Sequence, residues 1–270
     1  MYVKPRKSLG QNFLSDNYYV EQIVDALQVG SEDTFVEIGP GRGAITSWLL
    51  DRARRVIAVE LDQRLCEVLR DTYSDQPQLE VVQQDFLKFR FDSLQDAEVR
   101  VMGNIPYHIT SAIMFRLFEE AAAPAGPKIR DLTILMQREV AQRITADPGT
   151  KSYGVLSVFS RLHSQPEIIL QVPASAFTPR PKVDSSVMQF RFHQQPLHDL
   201  ADLKLFRRIV RVSFNQRRKT LRNSLRAVEE FRELVPRIKF DLTLRPEALS
   251  LDDFVRLYHE FEEADDERTY

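Results

Sequence analysis

Short apolar segments recur at residues 35–38, 56–60, 79–83, 99–102 and 132–136, with amphipathic stretches such as "ITSWLLDRA" and "ITSAIMFRLFEEA" between them. No other feature constrains the fold as strongly. Parallel strands need a long crossover between them, usually a helix, so this alternation predicts a parallel sheet covered by helices on both faces. Two later segments, "EIILQVP" and "VDSSVMQFRF", flank a proline-rich loop and read as an antiparallel pair. Beyond Gln195 the strand signals stop and the apolar spacing is helical ("LKLFRRIVRVSF", "LRNSLRAVEEF", "LDDFVRLYHEFEE"). The reading is therefore an α/β domain over 1–195 and a small α-helical C-terminal domain over 196–270, divided at "HQQPLHD".

Composition narrows the class. Of 270 residues 43% are hydrophobic, enough for a sizeable core, and no apolar run approaches the length of a membrane span. The N-terminus is basic but has no apolar core, so it does not read as a secretory signal. The single cysteine, Cys66, excludes a disulfide framework within the chain, reads as a buried filler, and fits a reducing, cytosolic setting. The five histidines are scattered without ligand spacing, so no metal is expected. A net charge of −2 hides an uneven distribution. Residues 203–228 hold nine basic side chains (Lys204, Arg207, Arg208, Arg211, Arg217, Arg218, Lys219, Arg222, Arg226) and no acidic one, whereas 229–270 holds thirteen acids against six bases. A local field of that sign suits a polyanion, and phosphate contact is a better account than a solvated helix face. At helical spacing Arg218 and Arg222 share a side, as do Arg207 and Arg211. The N-terminal arm, with Lys4, Arg6 and Lys7, reads either as an RNA contact or as a disordered end.

The motifs sit at the carboxyl ends of the expected strands, where open α/β sheets bind ligands. "FVEIGPGRGAIT" is a strand, a glycine turn and a helix start, with Gly39, Gly41 and Gly43 preceded by Glu37. That arrangement is the one found in S-adenosylmethionine methyltransferases, not the G-x-G-x-x-G of dinucleotide sites. "VIAVELD" ends its strand on Glu60, suited to accept hydrogen bonds from both ribose hydroxyls, and "EVVQQDF" ends on Asp85, suited to an adenine amino group. Each carboxylate alone reads equally well as a helix N-cap. Taken with the glycine turn and "GNIPY", four strand ends carry polar groups fit for one ligand and its reaction partner.

In "VMGNIPYHIT", Gly103 and Pro106 are expected to stop the strand and leave Asn104 and Tyr107 at its end. The exocyclic N6 of adenine is a poor nucleophile because its lone pair is delocalised into the ring. The Asn104 side-chain oxygen and the Ile105 carbonyl, aimed by Pro106, can accept hydrogen bonds from both N6 protons and free that lone pair. Tyr107 offers a ring for stacking. Such catalysis is positioning plus electrostatics.

Together "KSLGQNFL" (7–14), "EIGPGRG", "VELD", "QQD", "GNIPY", "YGVLSV" (153–158), "AFTPRPKVDSSV" (176–187) and "FNQRRKTLRNSL" (214–225) make the chain resemble the bacterial ribosomal RNA small-subunit adenine dimethyltransferases of the kasugamycin-sensitivity family. The resemblance implies a Rossmann-like class I methyltransferase sheet and S-adenosyl-L-methionine as cofactor. It also implies N6,N6-dimethylation of two adjacent adenosines in the 3′-terminal loop of small-subunit rRNA, within the immature, pre-assembled small ribosomal subunit. Carried onto this chain, Asn12, Leu14, Gly39, Glu60, Asp85 and Asn104 contact the cofactor, with Gly41 in the turn. Phe177 supplies a second ring opposite Tyr107, and Arg207, Arg211, Arg217, Arg218, Lys219 and Arg222 meet RNA. His108 stands where the family's pattern leads one to expect Asn, and Ile105 replaces the commoner Leu; neither removes a catalytic atom. The alternatives are an antibiotic-resistance adenine methyltransferase of large-subunit RNA, an RNA-binding assembly or transcription factor on the same scaffold, and a DNA adenine methyltransferase.

Overall fold

The computed structural model describes residues 3–6, 9–123 and 125–269, leaving aside the side chains of His108 and of 266–269. Among the described residues nine strands are present: β1 (Phe13–Leu14), β2 (Thr34–Ile38), β3 (Arg55–Glu60), β4 (Leu79–Gln83), β5 (Glu98–Asn104), β6 (Lys128–Gln137), β7 (Ser164–Val172), β8 (Phe177–Thr178) and β9 (Ser185–Phe192). The helices are α1 (Asn17–Leu27), α2 (Thr46–Leu50), α3 (Gln63–Thr72), α4 (Thr110–Ala121), α5 (Arg138–Ile144), α6 (Val155–His163), α7 (Leu203–Asn215), α8 (Leu221–Arg226), α9 (Glu229–Arg232) and α10 (Leu251–Thr269).

Two compact units are present. One runs up to Ala141 and resumes over Ser164–His193; the other holds Gln142–His163 and everything from Gln194 onward. The sequence reading put 142–163 in the first domain. The segment belongs to the second because its apolar side chains join that unit's aromatic core: Tyr153 meets Phe214 and Phe159 meets Phe206, with ring centroids 6.0 and 5.8 Å apart.

The first unit is a seven-stranded sheet in the order β4-β3-β2-β5-β6-β9-β7. Strands β2 to β6 run parallel; β9 is antiparallel to both β6 and β7. Residues of β2, β3 and β5 are buried on both faces, which explains their near-continuous apolar runs. The chain moves outward from β2 to β3 and β4, then returns to the other side of β2 as β5. That reversal opens a crevice between the ends of β2 and β5. At the opposite end of the sheet, buried Arg100 is satisfied by Asp131 (3.0 Å) and Asp33 (2.8 Å), a pairing that a buried charge requires.

Strand β5 does not stop at Gly103. It continues through Asn104, with Gly103 paired to Ile38 and Asn104 to Leu135. The missing side chain has a different use: a Cβ on Gly103 would lie 2.8 Å from the Ile38 Cβ and 2.9 Å from its carbonyl oxygen. Glycine lets the end of β5 lie against the end of β2. Gly103→Ala is expected to destabilise the protein by about 1–3 kcal/mol through overpacking, read as a lowered urea midpoint; an unchanged midpoint would refute the close approach.

Candidate active site

The crevice is walled by residues from five of the expected motifs: Asn12, Leu14, Glu37, Gly39, Gly41, Glu60, Asp85, Asn104, Ile105, Pro106 and Tyr107 all line one cavity. Ten of the eleven side chains predicted for cofactor and catalysis are among them. The exception is Phe177. It pairs with Leu14 across β1 and β8, is 3% exposed, and packs in the core with Val172 and Ala176, off the cavity wall.

The glycine turn is shaped by its neighbours. Gly41 has φ +61°, and a Cβ there would meet the Phe13 ring at 3.0 Å. Its N–H donates to Glu60 Oε2 (3.2 Å), while Glu60 Oε1 accepts the Asp62 N–H (2.9 Å). Burial nevertheless keeps the Glu60 carboxyl above the ordinary range. Glu37 lies deeper. Burial pushes it up to about 7, opposed by a hydrogen bond from Thr46 Oγ1 (2.7 Å) and reinforced by nearby Glu60. Asp85 does act as an N-cap: its Oδ1 accepts from Leu87 N (3.0 Å) at the start of a short 3₁₀ turn, Phe86–Lys88. One oxygen remains for another partner.

Asn104 is oriented by the chain. Its Nδ2 donates to the Asn12 carbonyl at 3.1 Å, which turns Oδ1 away from that bond. The Tyr107 hydroxyl is 2.8 Å from Ser185 Oγ, and burial raises the phenol above its usual value. Cys66, buried and pushed up to about 11 chiefly by desolvation, is an inert filler.

The arm reading is resolved for the described part. Val3 is buried against Phe13 and Leu65, and its carbonyl accepts from Arg42 (2.7 Å). Asp62 is the anchor. It receives Gln11 Nε2 (3.2 Å) and the Arg64 guanidinium, and lies 3.7 Å from Arg6. The Arg64 guanidinium beside it holds its carboxyl down at about 2. Lys4 and Arg6 therefore belong to a docked strap; Lys7 lies outside the described residues. Asp62, Gln11 and Ser185 escaped the sequence reading. Only "VELD" carried a signal for Asp62, as the acid directly beyond Glu60.

The architecture, a parallel sheet with its cavity at the β2/β5 reversal and an amide poised beside the glycine turn, agrees with a family model described as ribosomal RNA adenine dimethylase, which matches residues 3–263. The chain belongs to this family. A protein named ribosomal RNA small subunit methyltransferase A from Bacillus cytotoxicus is 38% identical over 266 residues, covering 93% of this chain and 89% of the relative. Its namesake from Bacillus mycoides is 38% identical over 268 residues, with the same coverage. Among solved structures, a dimethyladenosine transferase from Plasmodium falciparum superposes with a TM-score of 0.77 at 25% identity, over 94% of this chain and 98% of its own. The 23S rRNA methyltransferase ErmE gives 0.68 at 29% identity, over 93% and 100%.

The second unit of this rRNA adenine dimethylase family member carries the basic segment, and its cations are not equivalent. Helix α7 ends at Asn215 and α8 begins after Thr220, so Arg218 lies in a turn and does not share a helical face with Arg222. Arg207 and Arg211 do keep their helical spacing on α7. Arg217 donates to the carbonyls of Lys151 (2.8 Å) and Tyr153 (2.7 Å), a structural clamp. Arg208 pairs with Glu230 at 3.2 Å. Arg218, Lys219 and Arg222 are exposed, without a side-chain hydrogen bond or salt bridge among the described residues; Arg222 does feel the nearby Asp241 carboxylate.

A pH test follows from Glu37. Its folded value is about 7 against an ordinary 4.5, so between those values the folded protein holds a proton that the unfolded chain has released. Stability should therefore fall as pH rises through that window. Glu37→Gln, which keeps an acceptor for Thr46, should gain on the wild type across that window in urea unfolding and run parallel to it below pH 4.5. Parallel curves throughout would mean that Glu37 is ionised in the fold.

Proposed function

We propose that this chain transfers methyl groups from S-adenosyl-L-methionine to N6 of two adjacent adenosines in the 3′-terminal loop of 16S rRNA. The substrate in this reading is the pre-assembled small subunit late in its maturation, and the enzyme is a cytoplasmic monomer. The observation that carries it is Asn104: its Nδ2 is anchored on the Asn12 carbonyl, which leaves Oδ1 outside that bond, and the residue lines the same cavity as Glu60 and Asp85. The relatives named small subunit methyltransferase A support the choice of RNA. Among the described residues no helix is long and apolar enough to cross a membrane.

The residues present fit the cofactor. Gly41 and Gly39, both at positive φ, leave a cradle free of side chains, and two carboxylates stand at successive strand ends. Glu60, already pre-set by two backbone N–H groups, would receive the ribose hydroxyls, and the second oxygen of Asp85 the adenine amine. Gly39, Gly41, Asn12 and Leu14 would bound the rest. When bound, S-adenosylmethionine supplies an electrophilic methyl on a sulfonium. The protein's part is to present the amine. Asn104 Oδ1 and the Ile105 carbonyl accept hydrogen bonds from the N6 amino group, so the lone pair leaves conjugation and points along the line of attack. Tyr107, tied to Ser185, holds the base by stacking.

A large-subunit target is the second reading, favoured by the likeness to ErmE. Mapping dimethyladenosine in both subunits' RNA after deletion of this protein separates the two. Loss from the small subunit alone is expected; loss from the large subunit would overturn the proposal.

In methyl-transfer assays at saturating cofactor, Asn104→Ala should lose on the order of 100- to 1000-fold in kcat, the scale for removing one preorganised hydrogen-bond partner. Tyr107→Ala should cost about 1–3 kcal/mol of base stacking while cofactor affinity holds. Full activity in Asn104→Ala would refute the mechanism.

The basic segment gives a separate expectation. Replacing Arg218, Lys219 and Arg222 with Gln should reduce the log–log salt slope of subunit binding by roughly 0.7–0.9 per lost phosphate contact. Arg217→Gln should instead lower thermal stability, because it releases two backbone carbonyls. Salt slopes equal to wild type in the triple variant would return these cations to a solvated face.

A further inference from the structure

The loop at 179–184 is moored at both ends to the cavity wall. At one end Thr178 pairs with Phe13, and its Oγ1 lies 3.0 Å from Ser15 Oγ. At the other, Ser185 holds the Tyr107 hydroxyl. Phe13 and Tyr107 both line the cavity, so the loop starts and ends on residues that touch the cavity wall. Asp184 braces it from within: Oδ1 accepts from Ala174 N (3.0 Å) and its carbonyl from Arg138 N (3.0 Å). Pro179 and Pro181 restrict its backbone further.

This braced loop presents cations with no partner. Arg180 and Lys182 are exposed, as is Arg138 beside Asp184, and among the described residues none of the three side chains has a hydrogen bond or ion pair. Elsewhere in the same unit Arg54, Arg55, Arg64, Arg100 and Arg130 each pair with a carboxylate. The acids nearest in the chain are Asp184, engaged by the Ala174 N–H, and exposed Glu139. Val183, 45% exposed, adds an apolar contact between the charges. Holding unpaired like charges on a stiff loop has a cost, which an anionic ligand offsets.

We propose that Arg180, Lys182 and Arg138 form a phosphate-binding site for the single-stranded RNA on either side of the adenosine presented to Asn104. The inference rests on the RNA-methylation reading above and deepens it. An adenine that reaches the cavity must leave its stack, and its sugar–phosphate backbone must then pass the cavity wall. Arginine's planar fork and the lysine ammonium suit those phosphates, whereas the base itself is left to Tyr107 and Asn104. These are positioning residues for the substrate.

The test compares wild type with the double variant Arg180→Gln, Lys182→Gln and with the charge-retaining double variant Arg180→Lys, Lys182→Arg. The probe is a short single-stranded RNA containing adjacent adenosines, titrated over a range of salt with S-adenosylhomocysteine present. Two lost contacts should flatten the log–log salt slope by about 1.4, at about 0.7 each for a single strand. The charge-retaining variant should keep most of the wild-type slope, and S-adenosylhomocysteine affinity should be the same in all three. With small subunits as substrate, KM should rise far more in the Gln variant than kcat falls. Equal salt slopes in wild type and the Gln variant would overturn the inference, as would an equal loss in the charge-retaining variant. A flattened slope with no RNA methylated by the wild type would uphold the phosphate site and reject the methylation reading.

Discussion

One missing atom governs the site. Without a Cβ on residue 103, β5 lies directly against the end of β2, where any side chain would come within 2.8 Å of Ile38. That contact lets the ladder run on to Asn104 and Leu135. It brings the Asn104 backbone to the glycine turn, where a Cβ on Gly39 would stand 3.6 Å from the Asn104 main-chain oxygen. The reversal of strand order at β2 makes a crevice in any such sheet. The close approach of these two strands sets Asn104 and the glycine turn on the wall of one cavity.

Three carboxylates around that cradle differ by environment alone. Glu37 is buried beneath the turn, and burial pushes its carboxyl up to about 7. Glu60 is kept above the ordinary range, yet it is met by two backbone N–H groups that would be costly to leave unpaired. Asp62, two residues on, is drawn down by Arg64 and holds residues 3–6 and 9–14 through Arg6 and Gln11. The strap thus supplies Asn12, whose carbonyl orients Asn104.

The second unit follows a different logic. Aromatic residues from α7 and α10, with Tyr153 and Phe159, build its core: Phe206 meets Tyr258 and Phe214 meets Phe254 at ring separations of 5.9 and 5.7 Å. Its basic segment then divides its labour. Arg217 closes a loop, Arg208 pairs with Glu230, and the cations of the turn and α8 stay exposed.

Much of this was legible beforehand. Strand–helix alternation, the positive-φ glycines, and polar residues at strand ends are local signals, because period, turn chemistry and strand termination are set by neighbours in the chain. Hence Glu60, Asp85, Asn104 and Tyr107 could be named before any coordinates, along with their convergence at one sheet edge. What only the tertiary structure decided were the choices among distant partners. Phe177 packs inward against the Leu14 strand, Arg217 spends its guanidinium on two carbonyls more than sixty residues away in sequence, and the arm docks on Asp62. Residues 142–163 join the second unit by the same route, and Arg180 and Lys182 stand out only because no carboxylate reaches them. A residue's type says what it can bond. Which bond it makes depends on which backbone and which charge the fold brings within about 3 Å, and no local pattern carries that distance.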